Sequence, residues 1–370
     1  MVVLHVISGG EKGGSKKHLL SLVNEMKNKK VKNIIACFIE GELFKEAKEM
    51  GLNVFLIKQD KRFDLSVVNK LSNLCENEKV NIVNSHGGRA NFICSFLKKK
   101  VNAKFITTIH SDYESDYKGN KYKTFVYSKI NKLALKSFDY YIAVSKNFKN
   151  LLINRGFNEN KIFTVYNGID IKKDLSNLNK DDVIKKYNLP IFNNYISMIG
   201  RFHPIKGHKD FLDSCEKIYE DLKNTGIILV GDGEIKSDIE NQIKDYKVKK
   251  NVIFVGFKIP DDFINISDFT VLTSYSETFP LVILESGLYS KPVIASNVGG
   301  ISEIIKDMET GLLVFPGNIK EIGEKISILN YNKELAHNLG LNLNKLVKDK
   351  FSLQALADSY EKIWNKVLED

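Results

Sequence analysis

The feature that most restricts the fold of this sequence is a regular alternation of short apolar runs with stretches of helical length. Residues 2–8 open the series as a buried strand, and residues 19–26 have the apolar spacing of a helix. Parallel strands need a crossover long enough for a helix, so this rhythm predicts a parallel α/β sheet. Further strands are predicted at 34–39, 54–58, 82–85, 105–109, 140–144 and 162–166.

The rhythm stops at a polar stretch, residues 172–194, and then begins again. The second series predicts strands at 195–199, 227–230, 252–255, 269–272, 292–295 and 312–315. Three helices are expected to follow, near 320–329, 333–347 and 353–368. At 370 residues the chain exceeds one ordinary core of about 100–200 residues. We therefore predict two Rossmann-like units, joined by a linker with one short helix at 181–187.

Composition excludes several classes of protein. Charged residues at 27% beside 43% apolar residues exclude a fibrous or wholly disordered chain. The longest apolar run, residues 34–39, is far shorter than the roughly 20 residues that span a bilayer. The first residues also lack the pattern of a secretory signal. The four cysteines lie far apart, which favours reduced thiols and a cytoplasmic protein.

The net charge of +10 is unevenly distributed. Residues 1–170 carry 29 Lys and Arg against 16 Asp and Glu, whereas residues 171–370 carry 26 against 29. A basic first half suits an anionic surface or substrate, and its sources are residues 98–100, Lys104 and the lysines from Lys118 to Lys136. A solvated lysine-rich surface explains the excess equally well. No aromatic-rich motif accompanies the lysines, so no nucleic-acid partner is predicted.

A glycine-rich loop follows the first predicted strand. Residues 9–14 contain four glycines before a helix, where a ligand can approach the backbone and the helix N-terminus favours negative charge. The spacing does not fit the Gly-x-Gly-x-x-Gly of dinucleotide sites. It also does not fit a phosphate-binding loop, because Ser15 precedes Lys16. We therefore exclude nicotinamide and P-loop chemistry, and an ordinary structural turn remains the alternative.

The second half contains a denser set of polar residues at strand ends. Arg201 and Lys206 share the loop after the strand at 195–199, and a planar fork beside a point charge suits a diphosphate. Two more strands end in glycine, at 231–233 and 256. Because ligands of open α/β sheets bind at such carboxyl ends, we predict a nucleotide-type pocket there.

Two glutamates eight positions apart complete this pocket. Glu277 is expected in a loop, and Glu285 in the apolar helix whose first turn contains Pro280. The two carboxylates therefore reach different parts of one ligand. A solvated pair is the alternative, although Glu285 follows four apolar residues, 281–284.

Together these residues resemble the retaining glycosyltransferases of family four, which have the GT-B fold. The resemblance covers nearly the whole chain, and its ordered motifs are specific for the superfamily but not for the donor or acceptor. The matching positions are Gly13, Gly14, His110, 143–145, 167–170, Gly200, Arg201, Lys206, Gly207, 231–233, Gly256, Phe257, Glu277, Glu285, 296–300 and 310–314.

The resemblance implies an α/β chain with two Rossmann-like domains facing each other across a cleft. The expected boundaries are 1–175 for an acceptor-side domain and 190–350 for a nucleotide-sugar domain. A C-terminal helix at about 352–370 is expected to pack back on the first domain.

The resemblance also implies roles for particular residues. Arg201 and Lys206 grip the donor diphosphate, Glu285 binds the ribose, and Glu277 lies beside the transferred sugar. His110 hydrogen-bonds to the donor sugar, although a structural histidine is the alternative at that position. The other implied donor contacts are Gly14, Gly200, Phe257, Phe279, Pro280 and Leu281.

No metal or other cofactor is expected, because two fixed cations can stabilise a departing diphosphate. The acids Asp112, Glu114 and Asp116 come closest to a metal motif and remain a minor alternative. The family resembles a front-face substitution in which the leaving phosphate takes the acceptor proton. No nucleophilic carboxylate is therefore assigned.

The acceptor side is predicted from two residues. Where relatives often have Glu after the Gly-Gly pair, this chain has Lys16 and Lys17, which favours a phosphorylated acceptor. His86 ends the strand at 82–85 and is the second acceptor-side candidate.

The predicted function is transfer of a hexose or N-acetylhexosamine from a nucleotide sugar to a cell-surface polysaccharide, a glycolipid or another small acceptor. Family frequency favours UDP over GDP in the donor. An anionic or lipid-linked acceptor would place the protein at the inner face of the membrane. The alternatives are a nucleotide-sugar 2-epimerase of the same fold and a non-catalytic binding protein.

Overall fold

The structure, a computed structural model, describes residues 1–11, 13–61, 64–112, 129–173, 175 and 179–370. It divides into two compact units. Unit 1 comprises Met1–Gly168 and Leu353–Asp370, and unit 2 comprises Ile169–Ser352. The end of the chain therefore belongs to unit 1.

Unit 1 is built on a parallel sheet of seven strands, in the order β3-β2-β1-β4-β5-β6-β7. The strand order reverses between β1 and β4, which is where open α/β sheets bind ligands. The strands are β1 (Val2–Ile7), β2 (Lys32–Cys37), β3 (Val54–Leu56), β4 (Ile82–His86), β5 (Lys104–Ile109), β6 (Tyr140–Ala143) and β7 (Ile162–Thr164).

Unit 2 is built on a parallel sheet of six strands, in the order β10-β9-β8-β11-β12-β13. Its order reverses between β8 and β11. The strands are β8 (Asn194–Ile199), β9 (Thr225–Val230), β10 (Val252–Gly256), β11 (Phe269–Leu272), β12 (Val293–Ser296) and β13 (Leu312–Val314).

Helices connect the strands and cover the sheets, and residues 129–135 are helical as well. The bounded α-helices are α1 (Gly14–Glu25), α2 (Glu42–Glu49), α3 (Ser66–Asn77), α4 (Gly88–Leu97), α5 (Lys146–Asn154), α6 (Lys180–Tyr187), α7 (His208–Lys217), α8 (Tyr219–Leu222), α9 (Lys236–Gln242), α10 (Pro260–Ile266), α11 (Leu281–Leu288), α12 (Ile301–Ile304), α13 (Ile319–Tyr331), α14 (Lys333–Lys350) and α15 (Leu353–Glu369).

The C-terminal helix α15 is a structural part of unit 1. Its Tyr360 and Trp364 are fully buried in one apolar cluster with Val3, Ile82 and Ile106 of the sheet. Large side chains at spacings of three and four residues give α15 the single apolar face that this packing needs. Burying each such side chain stabilises the unit by roughly 1.5–3 kcal/mol.

All thirteen strands predicted from the apolar runs are present, with ends that agree within about two residues. The helix expected in the linker is α6. The predicted fold class, α/β with two Rossmann-like units, is confirmed. No helix in the described part of the chain is both long and apolar enough to span a bilayer.

Candidate active site

The loop between β8 and α7 is a tight turn that presents Arg201 and Lys206. His203 begins it: its Nδ1 accepts the N–H of Ile205 at 3.2 Å, and its carbonyl accepts the N–H of Lys206 at 2.9 Å. Pro204–Lys206 then forms one turn of 3₁₀ helix. Arg201 is exposed, whereas Lys206 is partly buried. The two cations therefore lie on one short loop at the carboxyl end of β8.

Lys206 is paired with Glu277, the first of the two predicted glutamates. Its Nζ lies 2.5 Å from Oε1 of Glu277, and the hydroxyl of Ser274 donates to the same oxygen at 2.7 Å. The Glu277 side chain is only 10% exposed. Because water screens such a pair poorly, the Glu277 carboxylate and the Lys206 ammonium hold each other in position.

Two glycines allow the loops that carry this pair to approach closely. A Cβ at Gly207 would lie 2.1 Å from the carbonyl oxygen of Thr273, and one at Gly299 would lie 1.6 Å from that of Glu277. Both glycines also have positive φ, at 71° and 54°. Gly207 and Gly299, which the sequence analysis named only as positions of the family resemblance, therefore pack loop against loop.

Glu285 lies inside α11 and is 7% exposed. Pro280 immediately precedes the helix in an extended conformation, one position earlier than the sequence predicted. Leu281 is the first helical residue, so the N-terminal amides of α11 follow directly after the loop that contains Glu277. Glu277 and Glu285 thus occupy the predicted loop and helix.

The two aromatic residues of the predicted donor site have opposite surroundings. Phe279 is buried, with its ring centroid 5.3 Å from that of Phe351. Phe257 follows β10 and is 74% exposed. Phe279 therefore fixes the loop before α11, whereas Phe257 offers an open ring face at the same end of the sheet.

Unit 1 has a cluster of four histidines near the carboxyl ends of its central strands. His5 Nδ1 lies 3.1 Å from His86 Nε2, and His86 Nδ1 lies 3.0 Å from His110 Nε2. His18, on α1, contacts the edge of the His110 ring at a centroid distance of 4.8 Å. The structure thus brings His86 and His110 together and adds two histidines that the sequence analysis had not selected.

Burial keeps these imidazoles neutral at pH 7. It lowers the pKa of His5 and of His18 to about 4, and the pKa of His86 and of His110 well below 6.5. Neutral rings can both donate and accept, and they do so here. His18, for example, lies 2.9 Å from the Asn167 amide oxygen and 2.9 Å from the Tyr360 hydroxyl.

Two cavities share Glu11 in their walls, and the first of them adjoins this cluster. The first, about 190 Å³, is lined by His86, His110 and Glu11 among others, and the second, about 460 Å³, by Glu11, Gln59 and Arg89 among others. Glu11 accepts the backbone N–H groups of Ser8 and Gly9 at 3.2 and 2.7 Å. Burial raises its pKa. A carboxylate of the chain itself therefore occupies backbone amides that the glycine loop was expected to offer to a ligand.

Gly14 and Lys16, two other residues that the sequence predicted for the site, are not among the residues that line these cavities. Gly14 is the first residue of α1 and is exposed. Lys16 forms ion pairs with Glu46 at 2.7 Å and Glu42 at 3.8 Å, so its charge is compensated within unit 1. A phosphorylated acceptor therefore has less to gain from Lys16 than the sequence suggested.

The acidic metal candidates are placed only in part. Asp112 accepts two hydrogen bonds from the Arg155 guanidinium, at 2.7 and 3.1 Å. Glu114 and Asp116 lie outside the described residues, as do Lys118, Lys121 and Lys123 of the predicted basic surface. In the part of the chain that the structure describes, no three His, Cys, Asp or Glu side chains are arranged so that they could hold a metal ion.

Two family models together match almost the whole chain. The model described as Glycosyltransferase Family 4 matches residues 12–173, and the one described as Glycosyl transferases group 1 matches residues 179–345.

Curated relatives match over most of their length. N-acetyl-alpha-D-glucosaminyl L-malate synthase of Bacillus anthracis is 26% identical over 334 residues, which are 87% of this chain and 84% of the relative. An uncharacterized glycosyltransferase of Methanocaldococcus jannaschii is 31% identical over 306 residues, 80% of this chain and 78% of the relative. Among solved structures, Anabaena HepE in complex with UDP-glucose has a TM-score of 0.85 at 19% identity, covering 99% of this chain and 100% of that chain.

The two separate parallel sheets, with charged residues at the carboxyl edge of the second, define a two-domain enzyme of the GT-B fold. The chain belongs to the family-four glycosyltransferases. The family predicted from the motifs is thereby confirmed, and so is glycosyl transfer as its general activity.

Proposed function

We propose that the chain is a retaining transferase that moves a hexose or N-acetylhexosamine from a UDP-sugar to a hydroxyl of its acceptor. The observation that carries this proposal is the charged edge of unit 2, where Lys206 pairs with Glu277 of the loop before α11 and Arg201 lies on the same loop as Lys206. The solved structure of HepE with UDP-glucose supports uridine diphosphate as the donor nucleotide.

Arg201 and Lys206 act on the leaving group. Breaking the anomeric C–O bond builds negative charge on the departing diphosphate, and fixed cations stabilise that charge in the transition state. The N-terminal amides of α11 add a partial positive charge from the same direction. The positive charge that the reaction needs thus comes from the chain itself, without a metal ion.

The remaining donor contacts are those that the family resemblance implies. Glu285, on α11, binds the ribose hydroxyls, and the exposed Phe257 ring lies against the base. Glu277 hydrogen-bonds the transferred sugar, and Lys206 is then shared between this carboxylate and the diphosphate. Gly200 and the backbone of residues 279–281 complete the set within unit 2, and the family resemblance implies Gly14 and His110 as further donor contacts.

The bonding changes balance without a protein nucleophile. The acceptor oxygen bonds to the anomeric carbon on the face from which the phosphate oxygen leaves. The acceptor proton passes to that phosphate oxygen, so the products are the glycoside and UDP. The two cations hold the phosphate at this face throughout.

The acceptor is a cell-surface polysaccharide, a glycolipid or another small molecule with a negative charge. The basic excess of residues 1–170 supports an anionic acceptor, as does the relative named for a product of L-malate. The cavities beside Glu11, one of which His86 lines, are where we place it in unit 1. A lipid-linked acceptor would bring the enzyme to the cytoplasmic face of a membrane.

The test is an assay with UDP- and GDP-sugars, with and without candidate acceptors such as malate and polyprenyl-linked sugars. We expect acceptor-dependent release of UDP and a product whose anomeric configuration, read by NMR, equals that of the donor. An inverted product contradicts retention. Conversion of the donor into its 2-epimer without an acceptor contradicts transfer altogether.

A further inference from the structure

A row of hydrogen bonds crosses one face of the unit 1 sheet and ends at His110. It begins at Asn33 on β2, whose Oδ1 lies 3.0 Å from Nε2 of His5 on β1. It continues from His5 to His86 on β4 and from His86 to His110, just beyond β5, at 3.1 and 3.0 Å. These strands are neighbours in the sheet, in the order β2-β1-β4-β5. The row therefore depends on the sheet register.

The direction of the row is fixed at its first member. The amide nitrogen of Asn33 donates to the carbonyl oxygen of Val31 at 3.1 Å. A carbonyl oxygen can only accept, so the amide oxygen of Asn33 must face His5. His5 therefore carries its proton on Nε2, where it donates to Asn33.

The tautomer of each ring then determines the tautomer of the next ring. A neutral imidazole has one N–H, so the Nδ1 of His5 is an acceptor and His86 must donate from Nε2. His86 Nδ1 is then an acceptor in turn, and His110 must donate from Nε2. Desolvation keeps all three rings neutral, since it lowers the pKa of each. A cationic His5 would instead reverse the row, because His86 would then accept at Nε2 and His110 would carry its proton on Nδ1.

We propose that Asn33, His5 and His86 are positioning residues that hold His110 in the tautomer with its proton on Nε2 and its lone pair on Nδ1. The tautomer decides which ring nitrogen of His110 can donate a hydrogen bond and which can accept one. The tautomer itself is independent of the proposed function, and only its effect on turnover rests on that function.

Nitrogen-15 NMR of the histidine rings in the full chain measures the tautomer directly. We expect His110, assigned by the loss of its signals in His110→Gln, to have a protonated Nε2 and an unprotonated Nδ1 at pH 7. The ring of exposed His337 serves as the internal reference. A His110 with a proton on Nδ1, or on both nitrogens, overturns the proposal.

A matched pair of variants separates tautomer control from general stability. Asn33→Gln retains a neutral amide whose oxygen can face His5, so the His110 signals should keep their pattern. Asn33→Leu removes that acceptor, so a second population with the proton on Nδ1 should appear. Identical spectra of His110 in the two folded variants would also overturn the proposal. If Asn33→Leu does not fold, the wild-type spectrum alone decides.

Kinetics separate this inference from the proposed function. In Asn33→Leu, turnover with a UDP-hexose should fall about tenfold, the equivalent of one lost hydrogen bond, while Asn33→Gln stays close to the wild type. A wild-type spectrum with the predicted tautomer but no transfer from any UDP-sugar would remove the function and leave the positioning role. Transfer from a UDP-sugar by a chain whose His110 carries its proton on Nδ1 would support the function and remove the positioning role.

Discussion

The two units have the same architecture but use different chemistry at corresponding places. Each has a parallel sheet whose order reverses next to its first strand, β1 in unit 1 and β8 in unit 2. In unit 1 the polar groups near this reversal are buried, neutral imidazoles hydrogen-bonded to each other. In unit 2 they are charged side chains on loops, such as the pair of Lys206 with Glu277.

We propose that this difference divides the work of glycosyl transfer between the units. Developing charge on a leaving group needs fixed opposite charge, which Arg201 and Lys206 supply in unit 2 under this proposal. Neutral rings with defined tautomers can bind hydroxyl groups without attracting or repelling a net charge. Under the same proposal, one fold supports charge stabilisation in unit 2 and hydroxyl recognition in unit 1.

The largest expected effect is the loss of a cation from unit 2. Arg201→Ala and Lys206→Ala should each lower kcat about 10²–10³-fold, because each removes a charge that acts on the leaving diphosphate. Steady-state rates of UDP release give the effect, and circular dichroism checks the fold. Lys209→Ala is the matched control, since Lys209 is exposed three positions beyond Lys206. Near-normal rates in both cation variants would remove the diphosphate assignment.

The second effect is a selective loss of stability of unit 1 in acid. The pKa of His5 and of His18 is about 4 in the folded chain, against about 6.5 when unfolded. Below pH 6.5 the unfolded state therefore binds protons first. Stability should fall as the pH drops from 6.5 towards 4, by about 2 kcal/mol per histidine at pH 5.

Unit 2 provides the comparison for this acid effect. Its one fully buried histidine is His208, whose pKa is lowered to about 3. The raised pKa of Glu11 works in the opposite direction in unit 1, but it is a single group. Hydrogen exchange at pH 7 and pH 5 should therefore show a greater loss of protection in β1 and β4 than in β8 and β11. Equal losses in the two sheets would mean that the histidines are not held neutral.

The contrast between the units also explains which features could be predicted from the sequence and which could not. Strands are set by local apolar runs, so all thirteen were predictable. Arg201 and Lys206 lie on one loop and were found from their spacing. The row of histidines was not found, because His5 and His86 are 81 positions apart and meet only through strand register. The one available signal was a polar His5 within an otherwise apolar first strand.

Ser274 and Glu11 were missed for a related reason. Each acts through a short local contact, Ser274 on the Glu277 carboxylate and Glu11 on the amides after β1. Neither residue type at that spacing forms a recognised motif. The position of His110 was available only through the family resemblance, since one histidine after a strand carries no such information by itself.

A third, smaller effect separates the two glutamates of unit 2. Glu285→Gln should weaken UDP binding about tenfold, because a proposed ribose contact is lost in the ground-state complex and in the transition state alike. Glu277→Gln should leave UDP affinity nearly unchanged and lower turnover, because Glu277 contacts the sugar that UDP lacks. Calorimetry with UDP, followed by turnover with the UDP-sugar, distinguishes the two. The reverse pattern would exchange their assigned roles.

The smallest expected effect concerns the basic surface of unit 1. Lys98 is already paired with Asp139 at 2.5 Å, so the available charge comes from exposed lysines such as Lys99 and Lys100. A lysine near an anionic membrane contributes about 1 kcal/mol, and the attraction decays over a Debye length of about 8 Å. The chain should therefore float with vesicles containing phosphatidylserine at low salt and leave them as salt rises.

The double variant Lys99→Ala and Lys100→Ala should weaken flotation, whereas Lys249→Ala with Lys250→Ala, an equal loss of exposed charge in unit 2, should not. If the wild type stays in the bottom fraction, or both pairs weaken flotation equally, the membrane contact is not a property of unit 1 and the acceptor is a dissolved molecule.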